Sequence, residues 1–169
     1  MKVILFDLGD TLESNDALVD GAKATLSSIR SMKDSNGNHP ILALISDFDN
    51  FDSTGFRLID VKPFQIQYYQ HLEDLGISEF FQPLYKHVTL STEVGVRKPA
   101  QEFFRFAIDS IEKDLSFEQV LFITENVNHI ISARQLGMKG IHVKGTGQNM
   151  GDVENLLDII PLVQAFINE

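Results

Sequence analysis

The chain has 169 residues, 43% of them hydrophobic and 22% charged, a composition that supports one packed domain and argues against disorder. Its formal charge of −10 comes from 14 basic and 24 acidic residues, so counterion release opposes nucleic acid as a main partner. No apolar run approaches the ~20 residues of a membrane helix, and the absence of cysteine removes disulfides, thiolate metal sites and cysteine nucleophiles.

Residues 1–7 carry one lysine before a short apolar run that ends at Asp7. That run is too short for a secretory segment, which points to a cytoplasmic protein. The run over 3–6 is the pattern of a strand buried on both faces. Ser14-Asn15-Asp16 reads as an N-cap cluster for a helix with Leu18, Ala22, Leu26 and Ile29 at helical spacing. Asp34-Ser35-Asn36-Gly37-Asn38 is a turn-rich connector, and a second buried strand follows over 41–45. Residues 47–62 have no clear period and read as a partial lid or an irregular insertion. The next helix has Pro63 in its first turn, Phe64, Tyr68, Leu72 and Leu75 on one face, and Gly76 as its stop.

A short third strand is expected over 88–90. Pro99 opens a helix bearing Phe103, Phe106, Ala107 and Ile111. The fourth strand covers 120–123, followed by a helix with Ile130, Ala133 and Arg134 that stops at Gly137. The fifth strand covers 140–143, and 152–169 is helical with a break before Pro161. This alternation predicts an α/β fold in one domain over 1–169: a three-layer, doubly wound open parallel sheet, Rossmann-like, of about five strands with helices on both faces. Ligands of such sheets bind beyond the carboxyl ends of the strands.

The residues just after the strands therefore matter most. They are Asp7, Gly9, Asp10 and Thr11; Ser46 and Asp47; Lys98; and Thr124, Glu125 and His129. A strand-end carboxylate followed by Gly9 and Thr11 can face a ligand while backbone N–H groups point at an anion. A hydroxyl (Ser46) and an ammonium (Lys98) meeting there would bind phosphate oxygens. Glu125 opposite Asp7 would complete a pair of hard oxygen donors suited to Mg²⁺. The donor types point to phosphate chemistry rather than redox chemistry.

Four segments resemble the motifs of haloacid dehalogenase-like (HAD) hydrolases. Phe6-Asp7-Leu8-Gly9-Asp10-Thr11-Leu12 is similar to the first, D-x-D-x-T. Ile45-Ser46 resembles the second, and Glu93-Val94-Gly95-Val96-Arg97-Lys98-Pro99 is close to the third, G-x-R-K-P. Leu121-Phe122-Ile123-Thr124-Glu125 with Ala133-Arg134-Gln135-Leu136-Gly137-Met138 resembles the fourth and the helix after it. The resemblance spans residues 2–145 with the motifs in order. It implies that Asp7 is the nucleophile of an aspartyl-phosphate mechanism. Asp7, the Gly9 carbonyl and Glu125 would hold Mg²⁺. Ser46, Thr11 and Lys98 would bind phosphoryl oxygens, with Lys98 also keeping Asp7 ionised.

Three departures from the pattern qualify that expectation. Family phosphatases carry an acid–base Asp two residues after the nucleophile, where this chain has Gly9; such help is typically worth 10²–10⁴-fold, about 3–5 kcal/mol of barrier. Asp10, one residue along, is the candidate substitute. Glu125 stands where the fourth motif has Asp, and His129, a poor Mg²⁺ ligand, stands near the position of a further acid. Finally, too few residues separate Leu12 from Ile41 to hold a full cap domain. Capless relatives tend to accept large or exposed phosphorylated substrates. Dehalogenases also lack the second Asp, but generally carry a bulky residue there and a helical cap.

The expected function is thus a Mg²⁺-dependent phosphohydrolase, weak on poor leaving groups. Its substrate would be a phosphorylated small molecule or an exposed phosphate on a larger one, with no membrane partner. The alternative is a catalytically inactive binding or regulatory protein of the same fold. His39, His71, His87 and His142 show no partner in the sequence and receive no role.

Overall fold

The computed structural model describes residues 1–48, 60–145 and 148–169. A five-stranded parallel sheet runs through its middle. Its strands are β1 (Val3–Asp7), β4 (Ile41–Ser46), β5 (Val88–Leu90), β6 (Val120–Thr124) and β7 (Lys139–His142). They lie in the order β5-β4-β1-β6-β7. Alternate residues of each strand feed opposite cores. Ile4, Phe6, Leu42, Leu44, Leu121 and Ile123 face one side, and Val3, Leu5, Ala43, Ile45, Val120 and Phe122 the other. With both faces covered, no polar alternation is needed, which explains the continuous apolar runs.

The first face is closed by α1 (Ala22–Ser31), α2 (Lys62–Asp74), α7 (Ile160–Ile167) and a 3₁₀ turn at Ser78–Phe81. The second is closed by α5 (Gln101–Ile111) and α6 (Val127–Gln135). Single turns α3 (Leu84–His87) and α4 (Ser91–Val94) flank β5. The expected doubly wound α/β architecture is present, with its five strands. On α5 the buried aromatics are Phe103 and Phe104, each worth roughly 1.5–3 kcal/mol of burial, whereas Phe106 is 42% exposed.

Two elements differ from the sequence reading. The segment expected as helix over 152–169 is not helical over 152–155, where Val153 bridges Val143; a 3₁₀ turn at Leu156–Ile159 then leads into α7, and Pro161 stands in that helix's first turn, where its missing N–H costs nothing, rather than after a break. The other difference lies at the hairpin after β1. Ser14-Asn15-Asp16 does not cap a helix; it belongs to a small antiparallel hairpin of β2 (Glu13–Ser14) and β3 (Ala17–Leu18). Asn15 and Asp16 adopt φ of 53° and 60°, the left-handed pair required by a two-residue hairpin turn, and Asn and Asp tolerate that region best. The helix starts after Gly21. Polar turn residues serve both as N-caps and as hairpin turns, which makes the two readings equivalent in sequence. Of the segment expected as a lid, 49–59 lies outside the described residues. Among the described residues no helix is long and apolar enough to cross a membrane.

From β1 the chain steps outward to β4 and β5, then crosses to β6 and β7 on the other side. The switch in strand order therefore falls between β1 and β6, and ligand crevices form at that point beyond the carboxyl ends. Asp7 lies opposite Ile45 and Phe6 opposite Ile123. Ser46 and Thr124, each one residue further on, thus flank Asp7 at the same edge.

Candidate active site

Asp7 ends β1 and is 5% exposed. Its Oδ1 accepts a 2.5 Å hydrogen bond from the Lys98 ammonium, itself 7% exposed, and a 2.9 Å bond from the Leu8 N–H. Lys98 arrives on the loop between α4 and α5, and its backbone N–H donates to Asp47 Oδ1 at 3.0 Å. Asp47 therefore fastens the Lys98 loop to the end of β4. Burial pushes the Asp7 carboxyl up, but the Lys98 ammonium, with His129 and Thr124, outweighs it and holds the group below its ordinary value. Asp7 is a carboxylate kept ionised inside a low-dielectric pocket.

A hydroxyl bridge links this carboxylate to a second one. Thr124 Oγ1 lies 3.1 Å from Asp7 Oδ2 and 3.0 Å from Glu125 Oε2, and accepts from the Asn126 N–H at 3.2 Å. A hydroxyl has one hydrogen, so it serves one carboxylate at a time. Thr11 reinforces Glu125 from the other side: its hydroxyl donates to Glu125 Oε2 at 2.7 Å and accepts from the Glu125 N–H at 3.1 Å. Thr11 is 1% exposed. Its hydroxyl thus positions Glu125, a different place from the phosphate contact expected of it.

Two carboxylates sharing one hydroxyl neighbour, on adjacent strand ends, form a hard-oxygen donor set that fits a small divalent cation such as Mg²⁺. The Gly9 carbonyl follows directly on the same loop. His129, in the first turn of α6 below its Asn126 cap, has Nδ1 3.8 Å from Asp7 Oδ2, and that nitrogen is buried without a hydrogen-bond partner among the described residues. It lies beside Asp7, mostly buried, and as a nitrogen donor it would add little to Mg²⁺ affinity.

A cavity of about 330 Å³ opens beside this edge. Leu8, Gly9, Ser46, Glu13, Tyr68 and His71 are among its walls. The Tyr68 hydroxyl is buried next to Ser46, yet the pair lacks the geometry of a hydrogen bond. Burial, with Asp7 and Glu13 nearby, pushes the Tyr68 phenol well above its ordinary value despite Ser46. Among the described residues nothing lies within 4 Å of where a Gly9 Cβ would stand.

Asp10 does not join that cavity. It turns at φ 52°, accepts from the Ser14 hydroxyl at 3.0 Å, and lines a separate depression with Asp20, Lys144 and Glu154. The structure therefore brings Asp7, Lys98, Ser46, Glu125 and Gly9 to one edge and leaves Asp10 outside. Sequence reasoning assigns no role to Thr124, Asp47, Tyr68 or the Glu13–His71 pair. Thr124 and Asp47 are signalled by their places at strand ends. The pairing of Glu13 with His71, 3.4 Å apart across 58 residues, has no local signal.

No family profile matches the chain. Its fold is similar to magnesium-bound YfnB of Bacillus subtilis, assigned as a HAD-hydrolase, with TM-score 0.62 and 17% identity over 86% of this chain and 56% of that one. A HAD family hydrolase of Deinococcus radiodurans R1 with bound phosphate and sodium gives 0.60 at 16% identity, covering 90% of this chain and 62% of that one. The core domain of a Streptococcus pneumoniae TIGR4 protein assigned as a phosphoglycolate phosphatase gives 0.56 at 17% identity, covering 96% and 95%. In sequence, drimenol cyclase drtB of Aspergillus calidoustus is 36% identical over 58 residues, 34% of this chain and 11% of that protein. The chain thus spans only about half of YfnB and a small part of the cyclase. Its fold is the haloacid dehalogenase-like α/β fold.

Proposed function

We propose that the chain is a Mg²⁺-dependent phosphohydrolase acting through an aspartyl-phosphate on Asp7. The observation that carries this reading is the buried Asp7–Lys98 pair at 2.5 Å, at the switch point of the sheet and beside an open cavity. An ionised carboxylate with a tethered ammonium is suited to attack an electron-poor phosphorus while the cation tempers charge repulsion. The phosphate-bound and magnesium-bound neighbours of the same fold agree with this chemistry.

Asp7 attacks phosphorus and the ester oxygen departs with the bonding pair. Lys98 and the Ser46 hydroxyl bind the equatorial phosphoryl oxygens. Asp7, Glu125 and the Gly9 carbonyl would hold Mg²⁺, which when bound would supply charge neutralisation for the transferring group. Water then cleaves the acyl phosphate and regenerates Asp7. Gly9 offers no proton to the leaving oxygen, so leaving groups that need protonation react slowly.

Assay of a phosphate-ester panel with Mg²⁺ tests the proposal, with Asp7→Asn as control. Aryl and acyl phosphates are hydrolysed far faster than alkyl phosphates, and the variant is inactive. Equal rates on all classes, or activity in the variant, overturn it. The missing acid also favours a second reading, a non-catalytic binding module. That reading predicts no beryllium fluoride adduct on Asp7 in the presence of Mg²⁺.

A further inference from the structure

We propose that His129 adds an imidazole nitrogen to the Asp7–Glu125 cation site, so that the site takes a transition ion such as Fe²⁺ or Co²⁺ in preference to Mg²⁺. The inference rests on the cation site proposed above and names the ion that this site selects. Asp7 Oδ1 is taken by the Lys98 ammonium at 2.5 Å and the Leu8 N–H at 2.9 Å, which leaves Oδ2 for a cation. His129 Nδ1 stands 3.8 Å from that same Oδ2. Two atoms held by one ion at about 2.1 Å each lie no more than about 4.2 Å apart, so a single ion can span this gap.

The state of the imidazole is the second observation. Its side chain is 14% exposed, and Nδ1 is buried with no hydrogen-bond partner among the described residues. A buried polar atom left without a hydrogen bond is destabilising, and ligation to an ion would satisfy it. Glu125 and His129 both follow β6 on a short, capped connection into α6. Asn126 Oδ1 accepts from the Asn128 and His129 N–H groups at 3.0 and 3.4 Å, and the Thr11 hydroxyl holds Glu125 Oε2 at 2.7 Å. Oxygen donors alone suit Mg²⁺, whereas imidazole suits Fe²⁺ and later divalent ions of the first transition row. An added imidazole therefore strengthens the binding of those ions and leaves that of Mg²⁺ nearly unaffected.

The test is binding, not turnover. The full chain is titrated with Co²⁺ and with Mg²⁺ by calorimetry, and the Co²⁺ form is followed by paramagnetic NMR. We expect Co²⁺ to bind more tightly than Mg²⁺, excess Mg²⁺ to displace it, and strongly shifted His129 ring resonances. In His129→Leu, Co²⁺ affinity falls at least about tenfold, since even groups behind the ligands of a metal site contribute that much, while Mg²⁺ affinity is nearly unchanged. Should His129→Leu fail to fold, the wild-type ring resonances, assigned to His129 in the Mg²⁺ form, decide the matter. Unshifted His129 resonances, no loss of Co²⁺ affinity in the variant, or an equal loss of both ions overturns the proposal. Weaker Mg²⁺ binding in Glu125→Gln would then still uphold the oxygen site, whereas Glu125→Gln without effect on either ion overturns both readings.

Discussion

The Lys98 ammonium meets the Asp7 carboxylate across 91 residues of chain, at 2.5 Å and out of water. Removing one member of a buried pair leaves the other charge uncompensated, at about 3–5 kcal/mol. We predict that Asp7→Asn and Lys98→Met each lower Tm by roughly 6–20 °C. The double variant should lose less than the sum, because the stranded charge is gone. Thermal unfolding of the three variants measures this; strict additivity would mean that the pair is not coupled.

The vacant space at Gly9 makes a gain of function available. With nothing among the described residues within 4 Å of the position a Cβ would take, Gly9→Asp should fold normally and place a carboxyl on the cavity wall. Hydrolysis of alkyl phosphates should rise by about 10²–10⁴-fold, while aryl phosphates gain little. Steady-state kinetics on one ester of each class decides it.

Protonation of Asp7 sets a pH window. Burial raises its carboxyl, but Lys98 prevails and the native group lies below the ordinary value of 3.8. A carboxyl depressed in the native state stabilises the fold above that ordinary value and loses the contribution as pH falls through the native one. The Tm gap between wild type and Asp7→Asn should be constant near neutrality and shrink below pH 3.8. A gap that widens on acidification contradicts the direction of the shift.

Thr124 joins the two carboxylates proposed to hold Mg²⁺. Thr124→Val keeps the strand shape but removes the hydroxyl that touches Asp7 and Glu125. Calorimetric Mg²⁺ titration should show affinity about 10–100-fold weaker, the usual effect of losing a group that orients metal ligands. Unchanged affinity would place the cation elsewhere.

Much of this is legible in the sequence, because a parallel strand covered on both faces writes itself as an unbroken apolar run. Residues 3–6, 41–45 and 120–123 announce their strands in that way, and the polar residues that end them announce the site. Asp7, Ser46 and Glu125 sit on those ends as expected. What stays hidden depends on side-chain direction or distant contact. Asp10 and Gly9 are neighbours in sequence, yet the positive φ of Asp10 turns its side chain away from the cavity. Thr11 carries the expected motif residue, but only the fold reveals Glu125, 114 residues later, as the partner of its hydroxyl. The Asn15–Asp16 turn reads as a cap because both uses draw on the same residue chemistry.

The cavity walls have two origins. The Asp7 edge belongs to the central strands, whereas Glu13, Asp16 and His71 project from a short hairpin arm and an outer helix that form no part of the five-stranded sheet. One wall of the cavity can therefore change without altering the sheet that carries the other. Grafting a new hairpin between Leu12 and Val19 would reshape the cavity while leaving the strand ends in their original alignment.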